Sequence, residues 1–339
     1  MITTTDCVNN LRSQIWESLS PLITDDYVFI ELPYYPNPGD ALIWSGTENF
    51  LKNFNYKCLC KGSFGTFQFP KLDERTIIIL QGGGNFGDLY RLNQDFRNKV
   101  YTSYPNNKII VLPQSVYYQG RRALIKDVKI MRNHKHLTIC ARDRYSYNFL
   151  RKFRFSDKVM LVPDMAFYND IDELNKYALP TEDKELIVRR IDAEARNLPS
   201  NVLYESNIQD VSDWAIVEKE NSIAQKFRML QNESSNHVIL DDYALNIFLP
   251  NLIETGIKQI SQYKKIYATR LHAAILSIIL GKDVEIWNNS YGKNKNFYET
   301  WLTDLDGVTF RDSKTIYSVK EIKRKLKIIS AYISLLFFR

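Results

Sequence analysis

Cysteine is scarce, and the little there is makes no pattern. Cys7, Cys58, Cys60 and Cys140 are the four in 339 residues. Cys58 and Cys60 flank one residue, and no second pair follows at the spacing of a zinc site. On a strand both thiols would share a face, so buried thiols are expected. The scatter excludes a disulfide-built module and fits a reducing compartment. Low-complexity tracts are absent, and the N-terminus lacks the basic-then-apolar run of a secretion signal. No apolar stretch has the length of a membrane-spanning helix. These absences give a cytoplasmic protein as the expectation. No His, Cys and carboxylate cluster has ligand spacing, so neither a metal nor another cofactor is expected. The net charge of +6 is diffuse and no basic-aromatic module occurs, which excludes nucleic acid and leaves anionic ligands or a membrane surface.

Short apolar runs alternating with amphipathic segments are what is there. Tyr27–Ile30, Thr76–Gln81, Lys108–Leu112, Leu137–Ala141 and Val159–Val162 read as strands, each followed by turn residues and most by a helical pattern. Continuous apolar strands alternating with helices predict a parallel sheet covered on both faces. The later half repeats the style more loosely at Leu186–Val188, Trp214–Val217, Ile266–Ala268 and Asp283–Ile286. The expected fold is α/β, with two Rossmann-like domains facing a central cleft. Residues 1–170 form the first, 184–316 the second and 317–339 a basic amphipathic helix. The polar stretch from about Tyr168 to Asp183 is the expected linker. Aromatic residues make up 13% of the chain, which core packing explains before sugar binding does.

The stretch Gln81-Gly82-Gly83-Gly84-Asn85-Phe86-Gly87-Asp88 contains a G-x-G-x-x-G after a strand. A dinucleotide site needs an acid about 20 residues on, at the end of the next strand. That strand ends Leu112-Pro113-Gln114-Ser115 instead. The glycines are therefore read as a close backbone approach to some other ligand, or as a tight turn alone. A helix expected from about Asp88 would aim free N–H groups at such a ligand. Asn37-Pro38-Gly39-Asp40 echoes Asn85-Phe86-Gly87-Asp88, and two such loops on one sheet edge would form one wall of a cleft. Asp40 and Asp88 can cap helices there, bind sugar hydroxyls or take a proton.

Taken in order, several pieces resemble the polysaccharide pyruvyl transferase family. They are Asn37-x-Gly39-Asp40, Gly82 to Asp88, Leu112-Pro113-Gln114-Ser115, Arg142-Asp143-x-x-Ser146, Val162-Pro163-Asp164, Thr269-Arg270-Leu271-His272-Ala273 and Asn288 to Asn294. Asn288 stands where similar proteins more commonly have Asp. The resemblance implies a GT-B-like pair of Rossmann domains. It also implies transfer of a pyruvyl group from phosphoenolpyruvate to two hydroxyls of a sugar, giving a cyclic ketal and phosphate. It places Arg142, Arg270, Leu271 and His272 at the donor, and Lys293 is a further candidate there. Asn37, Asp40, Gly84, Asn85 and Asp88 are the acceptor-side candidates.

Phosphoenolpyruvate carries a phosphate and a carboxylate on three carbons, and arginine meets such groups with a planar, permanently charged fork. The alternative for Arg142 is an ion pair with Asp143 or Asp164, and for Arg270 a surface charge at a helix start. Histidine as a residue type can trade a proton at neutral pH, which makes His272 a candidate, although a lone histidine is as readily a satisfied core residue. Asp88, Asp40 and Asp143 are candidate bases. The expected acceptor is a lipid-linked sugar of a surface polysaccharide precursor. Two rivals stand beside this reading. One is a GT-B glycosyltransferase using a nucleotide sugar, for which no clear ribose-binding acid is evident in the second half. The other is a non-catalytic glycan-binding protein. Near the C-terminus, Val319, Ile322, Leu326, Ile329, Ile333 and Leu336 recur at helical steps among lysines. That pattern fits a helix packed across the two domains or one lying on a membrane surface.

Overall fold

The computed structural model describes residues 2–192, 194–195, 208–214, 222–233, 237–312 and 319–336. The chain divides into two compact units, each with one parallel sheet. One comprises Glu17–Leu32, Phe54–Asp164 and Lys314–Arg339. Its strands are β1 (Tyr27–Ile30), β2 (Cys58–Gly62), β3 (Ile77–Leu80), β4 (Gly83–Gly87), β5 (Ile109–Tyr117), β6 (Leu137–Ala141) and β7 (Lys158–Leu161). Their order is β2-β1-β3-β5-β6-β7, with β4 pairing β5 beyond that path. β1, β3 and β6 are buried at every position, which is why they read as unbroken apolar runs. Helices α3 (Arg91–Ser103), α4 (Arg121–Arg132) and α5 (Arg144–Lys152) make the crossovers.

Three sequence expectations change here. The glycine-rich stretch is not a loop before a helix but the strand β4, and α3 starts only at Arg91. Gly87 has φ +119, and a Cβ there would lie 1.9 Å from the Tyr117 carbonyl oxygen. Glycine at 87 thus lets two backbones of one sheet meet, a structural task that no ligand enters. The strand expected to end at Leu112 runs on to Tyr117, with a register shift between Val111 and Gln114 that absorbs Pro113. Cys58 and Cys60 do share a face of β2, but half-exposed rather than buried.

The other unit comprises Met1–Trp16, Pro33–Asn53 and Met165–Ser313. Its sheet runs β12 (Val308–Arg311), β11 (Asp283–Trp287), β10 (Tyr263–Ala268), β8 (Glu182–Val188), β9 (Ile208–Ser212). Its helices are α1 (Thr4–Leu19, whose last turn counts with the seven-stranded unit), α2 (Pro38–Leu51), α6 (Ile171–Asn175), α7 (Ser222–Glu233), α8 (His237–Tyr243), α9 (Leu249–Ser261), α10 (Leu271–Ile279) and α11 (Lys293–Trp301).

The units are therefore not the contiguous spans 1–170 and 184–316. Helix α2 lies early in the chain but packs with the late elements. Asn169 donates to the Leu42 carbonyl at 2.9 Å, and a Cβ on Gly46 would stand 1.9 Å from the Met165 carbonyl oxygen. Gly256 of α9 admits Pro38 in the same way. The stretch read as a linker holds a 3-10 turn at Met165–Tyr168 and α6. Trp214 follows β9 instead of starting a strand, and residues 215–217 lie outside the described residues.

The final helix, α12 (Val319–Leu336), belongs to the seven-stranded unit and packs on α4. Ala331 and Leu335 are its buried contacts. The apolar stripe read from the sequence is not the packed one. Leu326, Ile329, Ile333 and Leu336 are 51–61% exposed. The side chains of Val319 and Ile322 lie outside the description.

Candidate active site at the carboxyl edge of the five-stranded sheet

In the five-stranded sheet the chain passes from β8 outward to β9, then returns to the other side of β8 as β10. That reversal makes a crevice at the carboxyl ends of β8 and β10, where open parallel sheets bind ligands. Thr269 ties the two ends together. Its N–H donates to the Val188 carbonyl at 3.1 Å, and its hydroxyl accepts from the Arg190 N–H at 2.7 Å.

Arg270 follows β10 as the extended N-cap of α10 and is 8% exposed, so it is no surface charge. Asp213, directly after β9, takes its Nε and, at 2.8 Å, its Nη2. Asp192 stands 3.3 Å from the same Nη2. Among the described residues no partner holds Nη1. Arg270 also lines a cavity of about 360 Å³ with Tyr34, Tyr35, Asn37, Asp192, Trp214, Phe227, Arg228 and Gln231. Trp214 is 3% exposed and its indole N–H has no partner among the described residues.

The start of α2 adds a second wall. Asn37 caps the helix by accepting from the Gly39 N–H at 2.9 Å. It donates to Asp40 Oδ2 at 2.8 Å, and the Tyr35 hydroxyl donates to the same oxygen at 3.0 Å. His272, half-buried on α10, lies against Gly39, and so does the Trp214 ring. Leu271 is buried beneath it.

Lys293 is buried rather than on a solvent-exposed loop. Gly292, at φ +90, turns the chain into α11, and Lys293 Nζ reaches Glu194 Oε2 at 2.8 Å. Tyr291 donates to Oε2 at 2.9 Å and Asn289 at 3.2 Å, while Arg190 holds Oε1 at 2.9 Å. Asn288 accepts weakly from the Lys295 N–H at 3.4 Å, a cap-like role that needs no charge. Among the described residues no group of three His, Cys, Asp or Glu side chains could hold a metal ion. Sequence reasoning missed Trp214, Arg190 and the acids Asp192, Glu194 and Asp213. Their one signal is position, in the turns just after β8 and β9.

The remaining candidates lie in the seven-stranded unit, so the two Asn-x-Gly-Asp motifs do not share a sheet edge. Asn85 is bound through its side-chain and backbone oxygens by Arg97, which pairs with Glu31 at 2.7 Å in full burial. Asp88 accepts from the backbone N–H groups of Gln119 at 2.7 Å and Gly120 at 2.6 Å, fastening β4 to the start of α4. Gly84 is half-buried within β4. Arg142 is 0% exposed and pairs with Asp164 at 2.7 Å and with Ser115 at 2.9 Å. Asp143 caps α5, accepting from the Ser146 N–H and the Ser115 hydroxyl, both at 2.7 Å.

Burial pushes the Glu31 carboxyl up to about 7 despite Arg97 beside it, and it raises Asp88 and Asp143 above the usual carboxylate range. A carboxyl raised in the folded state holds its proton more tightly there than in the unfolded chain. The stability so contributed is complete below the ordinary carboxylate range and is lost as pH rises through about 7. The thermal midpoint is therefore expected to be higher at about pH 5.5 than at about pH 8, by roughly 2–4 °C per kcal/mol involved. Glu31→Gln should flatten this slope. Scanning calorimetry of both proteins checks it, and a wild-type midpoint that climbs across that window contradicts it.

Parallel sheets with crossover helices, and a cavity at a switch point bordered by a buried arginine, define a Rossmann-like α/β fold. The particular family follows from comparison. The polysaccharide pyruvyl transferase model matches residues 37–284, and the chain belongs to that family. It is thus a transferase. It is 32% identical over 283 residues to the putative pyruvyl transferase EpsO of Bacillus subtilis, covering 82% of this chain and 85% of that one. Pyruvyl transferase 1 of Schizosaccharomyces pombe is 28% identical over 301 residues, 83% of this chain and 71% of its own. A crystal structure of an uncharacterized protein from Klebsiella pneumoniae subsp. pneumoniae matches with TM-score 0.57 at 21% identity. It covers 90% of this chain and 97% of its own, and likeness at that identity shows the fold alone.

Proposed function

We propose that this protein moves the pyruvyl group of phosphoenolpyruvate onto two hydroxyls of a sugar in a surface polysaccharide precursor such as capsule or exopolysaccharide, with a lipid-linked acceptor at the cytoplasmic side of a membrane. Its two parallel-sheet units are then the two Rossmann-like units of a GT-B-type transferase. The observation that carries the reading is the buried Arg270, aligned by Asp213 on one side of its fork and bordering a cavity on the other. Such a fork suits the phosphate or carboxylate of the donor. Lys293 and Arg190 lie at the same sheet edge, both paired with Glu194.

In this reading His272 gives a proton to the methylene carbon of the donor. The first sugar hydroxyl adds to the central carbon and loses its proton. The carbon–oxygen bond to phosphate then breaks, phosphate leaves, and the second hydroxyl closes the ketal with loss of its own proton. Asp40, held by Asn37 and Tyr35 at the start of α2, is the nearest fit for receiving a hydroxyl proton. Asn37, which caps α2 and holds Asp40, is assigned to the acceptor side in this reading. Asn85, Asp88 and Arg142 are given no chemical step, because their polar groups serve the seven-stranded unit. The residues present ask for no metal.

Phosphate release from phosphoenolpyruvate, screened over lipid-linked and nitrophenyl sugars with mass analysis of the product, tests the proposal. Acceptor-dependent release with a ketal product supports it. Heat stabilisation by a nucleotide sugar and not by phosphoenolpyruvate would overturn it in favour of glycosyl transfer.

Gly39→Ala is a narrower probe. The added methyl would lie 2.7 Å from both Cβ and Nδ1 of His272 and from a Trp214 ring carbon. Displacing the imidazole is expected to lower kcat by about 10-fold or more, while overpacking costs about 1–3 kcal/mol of stability. Turnover equal to wild type would separate His272 from the reaction.

A further inference from the structure

We propose that the outer face of α12 docks the protein in the plane of an anionic lipid bilayer. One side of this helix is already used. Ala331 and Leu335 are buried in the core of the seven-stranded unit, with Ile328 and Tyr332 packed against it. Arg324 donates to the Tyr118 carbonyl at 3.1 Å, and Arg121 of α4 donates to Ser334 at 2.5 Å. Intramolecular packing therefore fixes the rotation of the helix. It turns Leu326, Ile329, Ile333 and Leu336 outward, where they are 61%, 55%, 51% and 55% exposed.

Steps of three, four and three residues keep these four side chains in one stripe, about 15 Å long at 1.5 Å per residue. At 100° per residue, Lys325 falls along one border of the stripe and Lys323 along the other, with Lys327 further round on the flank. All three lysines are exposed. No acid occurs from Lys323 to Leu336. Packed beside α12, α4 contributes exposed Arg121, Arg122 and Lys129 to the same unit.

The charge selects the occupant. An apolar stripe that starts in a turn of exposed lysines, with no acid from Lys323 to Leu336, complements the headgroup region of an anionic leaflet. A second copy of this face laid parallel would bring lysines against lysines, and one laid antiparallel would offer them no carboxylate from residues 323–336. No helix among the described residues is long and apolar enough to cross a membrane, so the contact is in-plane. The stripe is independent of the reaction assigned above, and binding is measured without substrate.

The test is flotation of the full chain with vesicles of phosphatidylcholine alone or with about 30 mol% phosphatidylglycerol. Wild type is expected to float with the anionic vesicles only, and less so as salt rises from about 0.1 to about 0.5 M. Leu326→Ser, Ile329→Ser, Ile333→Ser and Leu336→Ser combined should reduce partitioning at least about tenfold. Lys323→Glu, Lys325→Glu and Lys327→Glu combined should do the same. Both variants should melt with wild type, because the altered positions are exposed. Failure of wild type to float, equal binding to neutral vesicles, or undiminished binding by the serine variant overturns the proposal. So does a wild-type dimer in sedimentation velocity that the serine variant dissociates without any lipid binding.

Discussion

Replacing His272 by alanine is expected to lower kcat by about 10²–10⁴-fold, the range for loss of a positioned proton donor. The fold should survive, because His272 is only half-buried and the neighbouring Leu271, Ala273 and Ala274 keep α10 in place. His272→Gln keeps a polar side chain of similar reach but cannot trade a proton near neutrality, so it should be nearly as slow. The binding of phosphoenolpyruvate, read by heat stabilisation, should change far less than turnover. Wild-type turnover by a folded His272→Ala protein, followed by phosphate release, would remove the histidine from the mechanism.

Arg270 should show two separable losses. Arg270→Ala leaves Asp213, 1% exposed, with only the Ile191 and Trp214 backbone N–H groups among the described residues, and removing the cation of a buried ion pair costs about 3–5 kcal/mol. It also removes two charge-assisted bonds of the kind a donor phosphate or carboxylate would use. That should reduce kcat/KM for phosphoenolpyruvate by about 10²-fold or more, mainly through KM. Arg270→Lys restores charge but cannot span Asp213 and a ligand together, so most of the kinetic loss should remain. Asp213→Asn tests alignment, since the fork stays while its charged clamp is gone. Denaturant melts and steady-state kinetics on the three variants distinguish these effects. An Arg270→Lys protein with an unchanged KM would mean that the fork serves Asp213 alone.

Much of the fold was legible because it is written in unbroken apolar runs. β1, β3 and β6 lie where such runs predict them, since a strand buried on both faces has no polar side to show, while β10 and β11 carry charged residues and overlap the looser segments Ile266–Ala268 and Asp283–Ile286. Where the pattern depends on a partner far along the chain, the sequence is silent. β4 is built of glycines, and only its approach to Tyr117 makes it a strand. α2 carries an ordinary amphipathic pattern that does not say which unit owns it. Arg270 and His272 stood out through their place after a strand and through family resemblance. The carboxylates that hold Arg270 and Lys293 did not, because Asp213 and Glu194 are distant in sequence and resemble any acid in a turn. The outward stripe of α12 was visible as a stripe. Its orientation depends on Ala331 and Leu335, small and ordinary residues whose burial no local pattern announces.

The interleaving of the two units has a consequence for how the protein is made. Strands β1 to β7 leave the ribosome early, but the helix that covers α4 follows only at Val319–Leu336. Until Ala331 and Leu335 emerge, the apolar surface they cover has no partner. α2, meanwhile, must wait for α9 and α10, some two hundred residues later, before Pro38 and Gly39 meet Gly256 and His272. Each unit is thus completed only by chain synthesised after much of the other. Nascent chains should depend on holding factors until synthesis nears its end, and no single cut of the gene yields either unit whole.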